Sequence, residues 1–531
     1  MRRTPIVLLA AGLILTALPA PPAAAQDPAP ADEGTPLALA EALRTALANN
    51  LDLVIARRDP QIAAAGIDVQ EANFDPTLGA TAAFARSDVD ETITSVSEEG
   101  ESVTESTSAT DNPSVDVSWG QNLKFGARYD VTLNALESDT SPSIGIDRAT
   151  GFIVESDPLY RQHSMALSFE MPLLRGFGTE VTTADIVLAR SGLEISREDL
   201  RLQAQTTIQT VENAYWDLLA SIEALRVARE SLKLAQDLLD LNRKKVEVGT
   251  LAPIEITQAE AGVASREESV IVAETAVENA EDGLRQLLAV PQQDPSWSRH
   301  IVPTDRPEYR EMKLDAEALL AKALESRPEI VTAKKRLQES ELSERVAKNA
   351  VKHDLTLGAS VGPTRSDYDV RIHYLNQTLL PQDAKTSMDQ LDWRIGLTYG
   401  IPIFNRAAKA NYAVATLNRE KSELGVRNVE QTIRVDVRRA VRSVESGVKR
   451  VAAARANTVL QRRTLEAEQK KFDNGMSTSF EVLQIQTDLL NAQVAEIQAI
   501  LDYTKALADL ERAQGTLLEA RGLELADAGR Q

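Results

Sequence analysis

Four side chains could do electrostatic work. Glu255 and Gln258 stand three residues apart, and the pair recurs 226 residues later as Glu481 and Gln484. On a helix this spacing puts a carboxylate and an amide on one face. Such a face concentrates negative potential and draws cations. Each pair follows a glycine, in Val248-Gly249-Thr250-Leu251 and in Asn474-Gly475-Met476-Ser477. Glycine tolerates the left-handed backbone needed where a helix reverses. The plain alternatives stay open: an ordinary helix-hairpin turn at the glycines and a solvated face at the acids.

Bond-making chemistry has no comparable candidates. His163, His300, His353 and His373 are scattered without metal-ligand spacing. No G-x-S-x-G elbow, Walker loop or paired-carboxylate cleft occurs. Arg175-Gly176-Phe177-Gly178 reads as a strand-to-helix turn, too short for a phosphate loop. The expectation is a non-enzyme without metal or cofactor.

The elements that carry the acids are repeated with them. Lys244, Lys245 and Gly249 recur as Lys470, Lys471 and Gly475. Upstream, Val211, Leu218, Leu225, Leu232, Leu239 and Val246 step by seven, in phase with Val437, Val444, Val451, Thr458, Leu465 and Phe472. The repeat predicts a duplicated long-helix hairpin. Small residues alternate with the large ones, at Ala214, Ser221, Ala228 and Ala235 and at Ala440, Gly447 and Ala454, so helix backbones can approach closely. Each long limb has about 70 residues and spans about 105 Å; the return limbs, 252–290 and 477–519, span about 60 Å. Residues 51–74 and 328–353 supply the missing length, which favours a tall helical wall. A single hairpin leaves one face bare, and oligomerisation is the simplest cover.

Between helices lie strand signals, at about 77–87, 113–120, 127–137 and 163–171, then at 355–361 and 391–400. The pair within 113–137 has no counterpart in the second half, so four or six strands per chain are both open. Ser/Thr/Asp/Glu-rich stretches at 88–112 and 138–160 read as loops. Of 22 aromatics, 14 fall within 74–177 or 354–404, which fits an interfacial aromatic girdle as well as a β-subdomain core. The organisation expected is a signal peptide at 1–25, a linker at 26–36, and a first repeat at 37–290. That repeat holds helices at 37–74, strands and loops at 75–172 and a hairpin at 175–290. A linker or equatorial segment follows at 291–313. The second repeat, 314–519, holds helices at 314–353, strands at 355–402 and a hairpin at 405–519, and a tail covers 520–531.

The formal net charge of -21 argues against nucleic acid as a partner. No cysteine is present, which excludes disulfides and thiolate metal sites, and an acylated lipoprotein anchor as well. Arg2 and Arg3, the apolar run from Ile6 to Leu18 and Ala23-Ala24-Ala25 predict a secretory signal cleaved after Ala25, leaving Gln26 first. No later segment suits a transmembrane helix, so a membrane crossing would use β-strands.

The tandem order, with Met171-Pro172-Leu173-Leu174-Arg175-Gly176-Phe177-Gly178, Ala214-Tyr215-Trp216-Asp217 and the two Gly-centred tips, resembles the TolC family of outer-membrane efflux proteins over about 37–519. The resemblance implies a mainly α fold with a β-barrel portion. Three chains would form a 12-helix periplasmic tunnel joined to a shared transmembrane barrel of four strands per chain. It implies a passive exit duct in the bacterial outer membrane, reaching into the periplasm, for a tripartite efflux pump or type I secretion system. Its partners would be a periplasmic adaptor, an inner-membrane transporter and outer-membrane lipid. Residues 248–251 and 474–477 would be the adaptor-docking tips. Glu255, Gln258, Glu481 and Gln484 would form the pore constriction, with Gln484 standing where the family places a second acid. The alternative class is a soluble periplasmic coiled-coil scaffold or adaptor. An adaptor, however, would carry one long hairpin flanked by β-domains, whereas here the hairpin occurs twice.

Overall fold

The computed structural model describes residues 34–525, apart from 98–99, 142, 148–151, 292, 295–296, 298, 308, 310–311, 313 and 375–381. The expected signal peptide, most of the linker to 36 and the end of the tail lie outside the described residues.

The chain opens with strand β1 (Thr35–Leu37) and three short helices, α1 (Leu39–Asn49), α2 (Leu51–Ala56) and α3 (Arg58–Glu71). Asn50 separates the first two, and its side chain accepts from the Leu53 N–H to cap α2. Strands β2 (Thr77–Ser97), β3 (Gly100–Asn122), β4 (Arg128–Thr140), β5 (Ser143–Asp147) and β6 (Phe152–Pro172) follow. One turn of helix, α4 (Thr179–Thr182), leads into α5 (Ala184–Glu247), which reverses and returns as α6 (Ile254–Leu288). After β7 (Ile301–Pro303) the plan repeats: α7 (Ala316–Ser326), α8 (Pro328–Ala350), β8 (Asp354–Tyr374), β9 (Gln382–Gly400), α9 (Arg406–Asp473) and α10 (Ser479–Ala513). A final turn, α11 (Leu517–Ala520), packs back on α5. Pro328 starts α8, where its missing N–H costs nothing.

Helices α5 and α9 are each about 100 Å long, and α6 and α10 about 50 Å. Near the sheet, α3 lies against α5, α5 against α8, and α8 against α9. Toward the tips, α6 lies against α5, α5 against α10, and α10 against α9. Four helices therefore stand abreast at both levels. The heptad residues hold them together: Val211, Leu218 and Leu239 are buried, as are Val437, Val444, Val451, Leu465 and Phe472. Burial of each such side chain is worth about 1.5–3 kcal/mol. Bare apolar stripes remain on the outer edges, Leu51, Ile55, Ile62 and Val69 on α2–α3, and Val414, Leu417 and Leu424 on α9.

The sheet is antiparallel, in the order β2-β3-β4-β6-β8-β9, with β5 paired to the far end of β6. Among the described residues it has six long strands, one of the two counts left open by the sequence and not the four that the resemblance implies, because residues 113–137 pair with β2 on one side and β6 on the other. The expected loops at 88–112 and 138–160 are largely strand. Those stretches are rich in Ser, Thr, Asp and Glu, so the sequence shows no apolar alternation while the backbone ladder continues.

The segments expected as linkers also carry structure. β1 pairs in parallel with β7, Thr35 opposite Ile301 and Leu37 opposite Pro303. The Tyr215 hydroxyl lies 3.0 Å from the Leu37 carbonyl oxygen and 2.9 Å from Asp305 Oδ2, and accepts from the Asp305 N–H at 3.2 Å. The same Asp305 oxygen accepts from the Leu39 N–H, the first of α1, at 2.7 Å. Burial pushes the Tyr215 phenol up to about 12.

Candidate functional site

Two surfaces carry the chemistry: one face of the sheet and the pair of helical tips. The cross-strand register puts Leu78, Ala80, Ala82 and Phe84 of β2 on the same face as Val115, Val117 and Trp119 of β3. Val131, Leu133 and Ala135 of β4 and Met165, Leu167 and Phe169 of β6 continue it. Val361 and Leu357 of β8, with Leu391, Trp393, Ile395 and Leu397 of β9, complete it. Most of the large side chains among them are exposed, Trp393 at 72 %. The opposite face alternates with Ser118, Thr132, Asn134, Ser168, Thr356 and Thr398. An apolar face this large is unstable in water and is matched to lipid.

The belt has a defined height. Beyond it, still on the apolar face, runs a row of ion pairs: Arg86 with Asp88 and Asp111, Arg161 with Glu137, and Arg365 with Asp367 and Asp389. From the helix-side strand ends to this row, Thr77 to Arg86, Asn122 to Asp111, Arg128 to Glu137, Pro172 to Arg161, Asp354 to Arg365 and Gly400 to Asp389, the separation is nine to eleven residues. A tilted strand needs about that many to cross the hydrocarbon. At the helix side, Trp119, Tyr129, Phe169 and Tyr399 sit within three residues of the ends, with Trp119 and Tyr129 edge to face at 5.6 Å. Among the described residues no helix is long and apolar enough to cross a membrane.

The tips lie at the other extreme. Gly249 and Gly475 take φ of 76° and 70°, so both reversals use the left-handed region. Val248, at 73 % exposure, and Met476, at 70 %, stand bare beside Ile254 and Phe480. The sequence reading missed these last two because each falls in the first turn of a return helix.

The proposed constriction residues are placed unequally. The Glu481 carboxylate accepts from the Thr478 N–H at 3.1 Å and the Ser477 hydroxyl at 2.7 Å, while Thr478 Oγ1 accepts from the Glu481 N–H. This reciprocal cap holds the Glu481 carboxyl below its usual range, the Ser477 hydrogen bond contributing most. At the corresponding places, 226 residues earlier, the first tip has Leu251 and Ala252, which offer no capping hydroxyl. Glu255 instead crosses to the other hairpin: its Oε2 accepts from the Ser479 N–H, the first of α10, at 3.0 Å. Buried Asn242 braces the junction, donating to Ser479 Oγ at 2.6 Å and to the Glu255 carbonyl at 3.1 Å. Gln258 is half-buried, whereas Gln484 is exposed and donates to Asp488 at 3.3 Å.

Other ties reinforce this one. Arg266 is buried, and its guanidinium donates to the Leu483 carbonyl at 3.2 Å and to Thr487 Oγ1 at 2.6 Å. Desolvation lowers its proton affinity. Lys245 Nζ sits 4.2 Å from the Phe472 ring centroid and donates to the Phe472 carbonyl at 3.3 Å. The signal for Asn242 was present in the sequence, as a polar residue on the stripe between Leu239 and Val246; a buried heptad asparagine fixes register. The partners of Arg266 had no local signal. Among the described residues no cluster of His, Asp or Glu is arranged for a metal.

A lipid-matched sheet carried on a helical wall about 100 Å tall defines the class: an outer-membrane protein reaching into the periplasm. The chain belongs to the outer membrane efflux protein family, whose model matches residues 42–290 and 319–516. It is 25% identical over 333 residues to the pyoverdine export outer membrane protein OpmQ of Pseudomonas putida, covering 62% of this chain and 65% of that protein. The chain thus spans a little under two thirds of that relative. It is 25% identical to the outer membrane efflux protein BepC of Brucella suis over 378 residues, 68% of this chain and 74% of that one. The Campylobacter jejuni CmeC outer membrane channel shares the fold, with a TM-score of 0.62 at 18% identity over 93% of this chain and 90% of that chain.

Proposed function

We propose that three copies of the chain form a passive exit duct of a tripartite efflux or type I secretion system. Substrates pass from an inner-membrane transporter and periplasmic adaptor, through the helical tunnel, to the exterior. The observation that carries this reading is the union of a lipid-matched sheet with four helices abreast. Three copies make a twelve-helix wall, and the bare stripes on α2–α3 and α9 become covered seams. A soluble scaffold would leave the whole apolar sheet face in water.

The tips serve as both docking knobs and gate. Val248, Gly249, Thr250 and Leu251, with Asn474, Gly475, Met476 and Ser477, offer an adaptor bare apolar side chains on two rigid turns. The Glu255–Ser479 bond holds the two hairpins of one chain together, with Gln258 and Gln484 on the same return helices. Single-channel recording of purified protein in planar bilayers tests the reading. Small steps that enlarge in the Glu255→Ala/Glu481→Ala double variant support a tip gate. Steps unchanged by the substitutions leave the duct but remove the gate from these residues, and a folded trimer that never inserts defeats the duct itself.

A further inference from the structure

We infer that all six long strands of each chain are barrel wall, so that the trimeric duct proposed above closes as an eighteen-stranded barrel, β9 of one copy pairing with β2 of the next. The inference rests on that trimeric reading for the number of copies and on this sheet for the number of strands.

Three observations carry it. First, the extra pair β3–β4 is indistinguishable from its neighbours in its relation to lipid. Val115, Val117, Leu133 and Ala135 continue the apolar face without a break, and the ion-pair row runs through Asp111 and Glu137 at the same height as through Arg365 and Asp389. A hairpin set inside the lumen or outside the barrel would have no reason to keep that height.

Second, the two edges need a partner and suit each other. Residues 77–85 of β2 carry no charge, and the apolar residues of β9 between Leu391 and Tyr399 are bare. The β2 edge lacks the charges with which soluble sheets protect themselves, and on β9 the two charges of this stretch, Asp392 and Arg394, lie on the polar face. β2 runs away from the helices and β9 returns toward them, so a β9–β2 seam between copies is antiparallel, like every pairing among the six strands. Eighteen is also an even number, which an antiparallel barrel requires.

Third, the widths agree. Strands about 4.8 Å apart and tilted about 40° occupy about 38 Å of circumference for six, but only about 25 Å for four. Four helices at 8–10 Å separation occupy about 32–40 Å. Six strands therefore meet four helices without a step. The lumen at the membrane is then of porin width, lined by the small polar face of Ser118, Thr132, Ser168 and Thr356, and the narrowing of the duct lies at the tips.

The natural absence of cysteine makes the test direct. Single substitutions Val117→Cys and Leu133→Cys (apolar face of the extra pair), Ser118→Cys and Thr132→Cys (its polar face) and Ile395→Cys (β9) are labelled with a fluorophore. The trimer, its mass verified in detergent, is reconstituted with brominated lipid. Quenching at the Val117→Cys and Leu133→Cys sites equal to that at Ile395→Cys, and about twofold or more above Ser118→Cys and Thr132→Cys, is the expected result. Quenching at Ile395→Cys with none at Val117→Cys and Leu133→Cys removes the extra pair from the wall and overturns the inference while leaving the duct. No quenching at any site, Ile395→Cys included, overturns the duct reading as well.

Discussion

Glu255 and Ser479 are joined across the two hairpins, carboxylate oxygen to backbone nitrogen, at 3.0 Å. The donor is an orphan N–H at the start of α10, where the helix dipole favours a negative charge. No hydroxyl holds the acceptor locally, because Leu251 and Ala252 stand where the second tip has Ser477 and Thr478. A half-buried charge-assisted bond of this kind contributes about 1–2 kcal/mol.

Glu255→Ala should therefore shift the balance between closed and open tips about tenfold toward open. Larger or longer single-channel openings, with the trimer's thermal stability little changed, would show this. Glu481→Ala removes only a local cap and should leave the hairpins tied, loosening the first turn of α10. Equal channel effects from the two substitutions would contradict the assignment of separate roles.

The Glu481 cap gives the tips a pH dependence. Its folded carboxyl lies below the ordinary value of 4.5. Its stabilisation is thus present above the unfolded value and is lost as pH falls through the folded one. Hydrogen exchange in the first turn of α10 should accelerate as pH is lowered below about 4.5, once the intrinsic acid dependence is removed. Glu481→Gln should abolish that acid-induced change.

The long hairpins were legible because a seven-residue repeat with matched phase survives any context, and Val437, Val444 and Val451 are buried where it requires. Asn50, as the cap of α2, and Pro328, as the first residue of α8, set helix starts by equally local chemistry. The sheet was legible only inside the membrane. From Leu391 to Tyr399 lipid demands one apolar face; beyond Arg86 and Asp111 the sequence is polar without alternation, and nothing in the pattern distinguishes strand from loop. The pairing of Thr35 with Ile301 and the reach of Glu255 to Ser479 depend on residues more than 220 positions apart, which no local spacing reports.

Tyr215→Phe tests the knot between α5, β1 and the connector. It removes the hydroxyl that meets Leu37 and Asp305 and leaves the Asp305 N–H unsatisfied, at a cost of about 1–3 kcal/mol. A fall in thermal midpoint with unchanged helix content is the expected outcome. Because the folded phenol is raised to about 12, its stabilisation is complete below about 10 and declines as pH rises from there toward 12. The ultraviolet titration of the folded wild type should show a late-ionising tyrosine that the variant lacks.

Met476→Asp and Val248→Asp place charge on the bare apolar knobs. Either should weaken binding of the cognate adaptor at least about tenfold without altering trimer yield or basal conductance, because both side chains point to solvent. Unchanged adaptor binding in the double variant would show that docking uses another surface.

Gly447 measures how closely α9 and α10 must approach. A Cβ added there would lie 3.1 Å from Cδ2 of the buried Tyr503 ring and 3.5 Å from its Cα, so part of the obstacle is backbone that cannot rotate away. Alanine relieves the helix of glycine's entropy penalty, about 0.5–1 kcal/mol, and asks its neighbour to yield only a few tenths of an ångström. Gly447→Ala should therefore be nearly neutral. Gly447→Val forces the helices apart and should cost about 1–3 kcal/mol. Thermal unfolding followed by circular dichroism separates the two cases. If valine were as harmless as alanine, the alternation of Ala440, Gly447 and Ala454 with Val437, Val444 and Val451 would reflect composition rather than close packing of the hairpin.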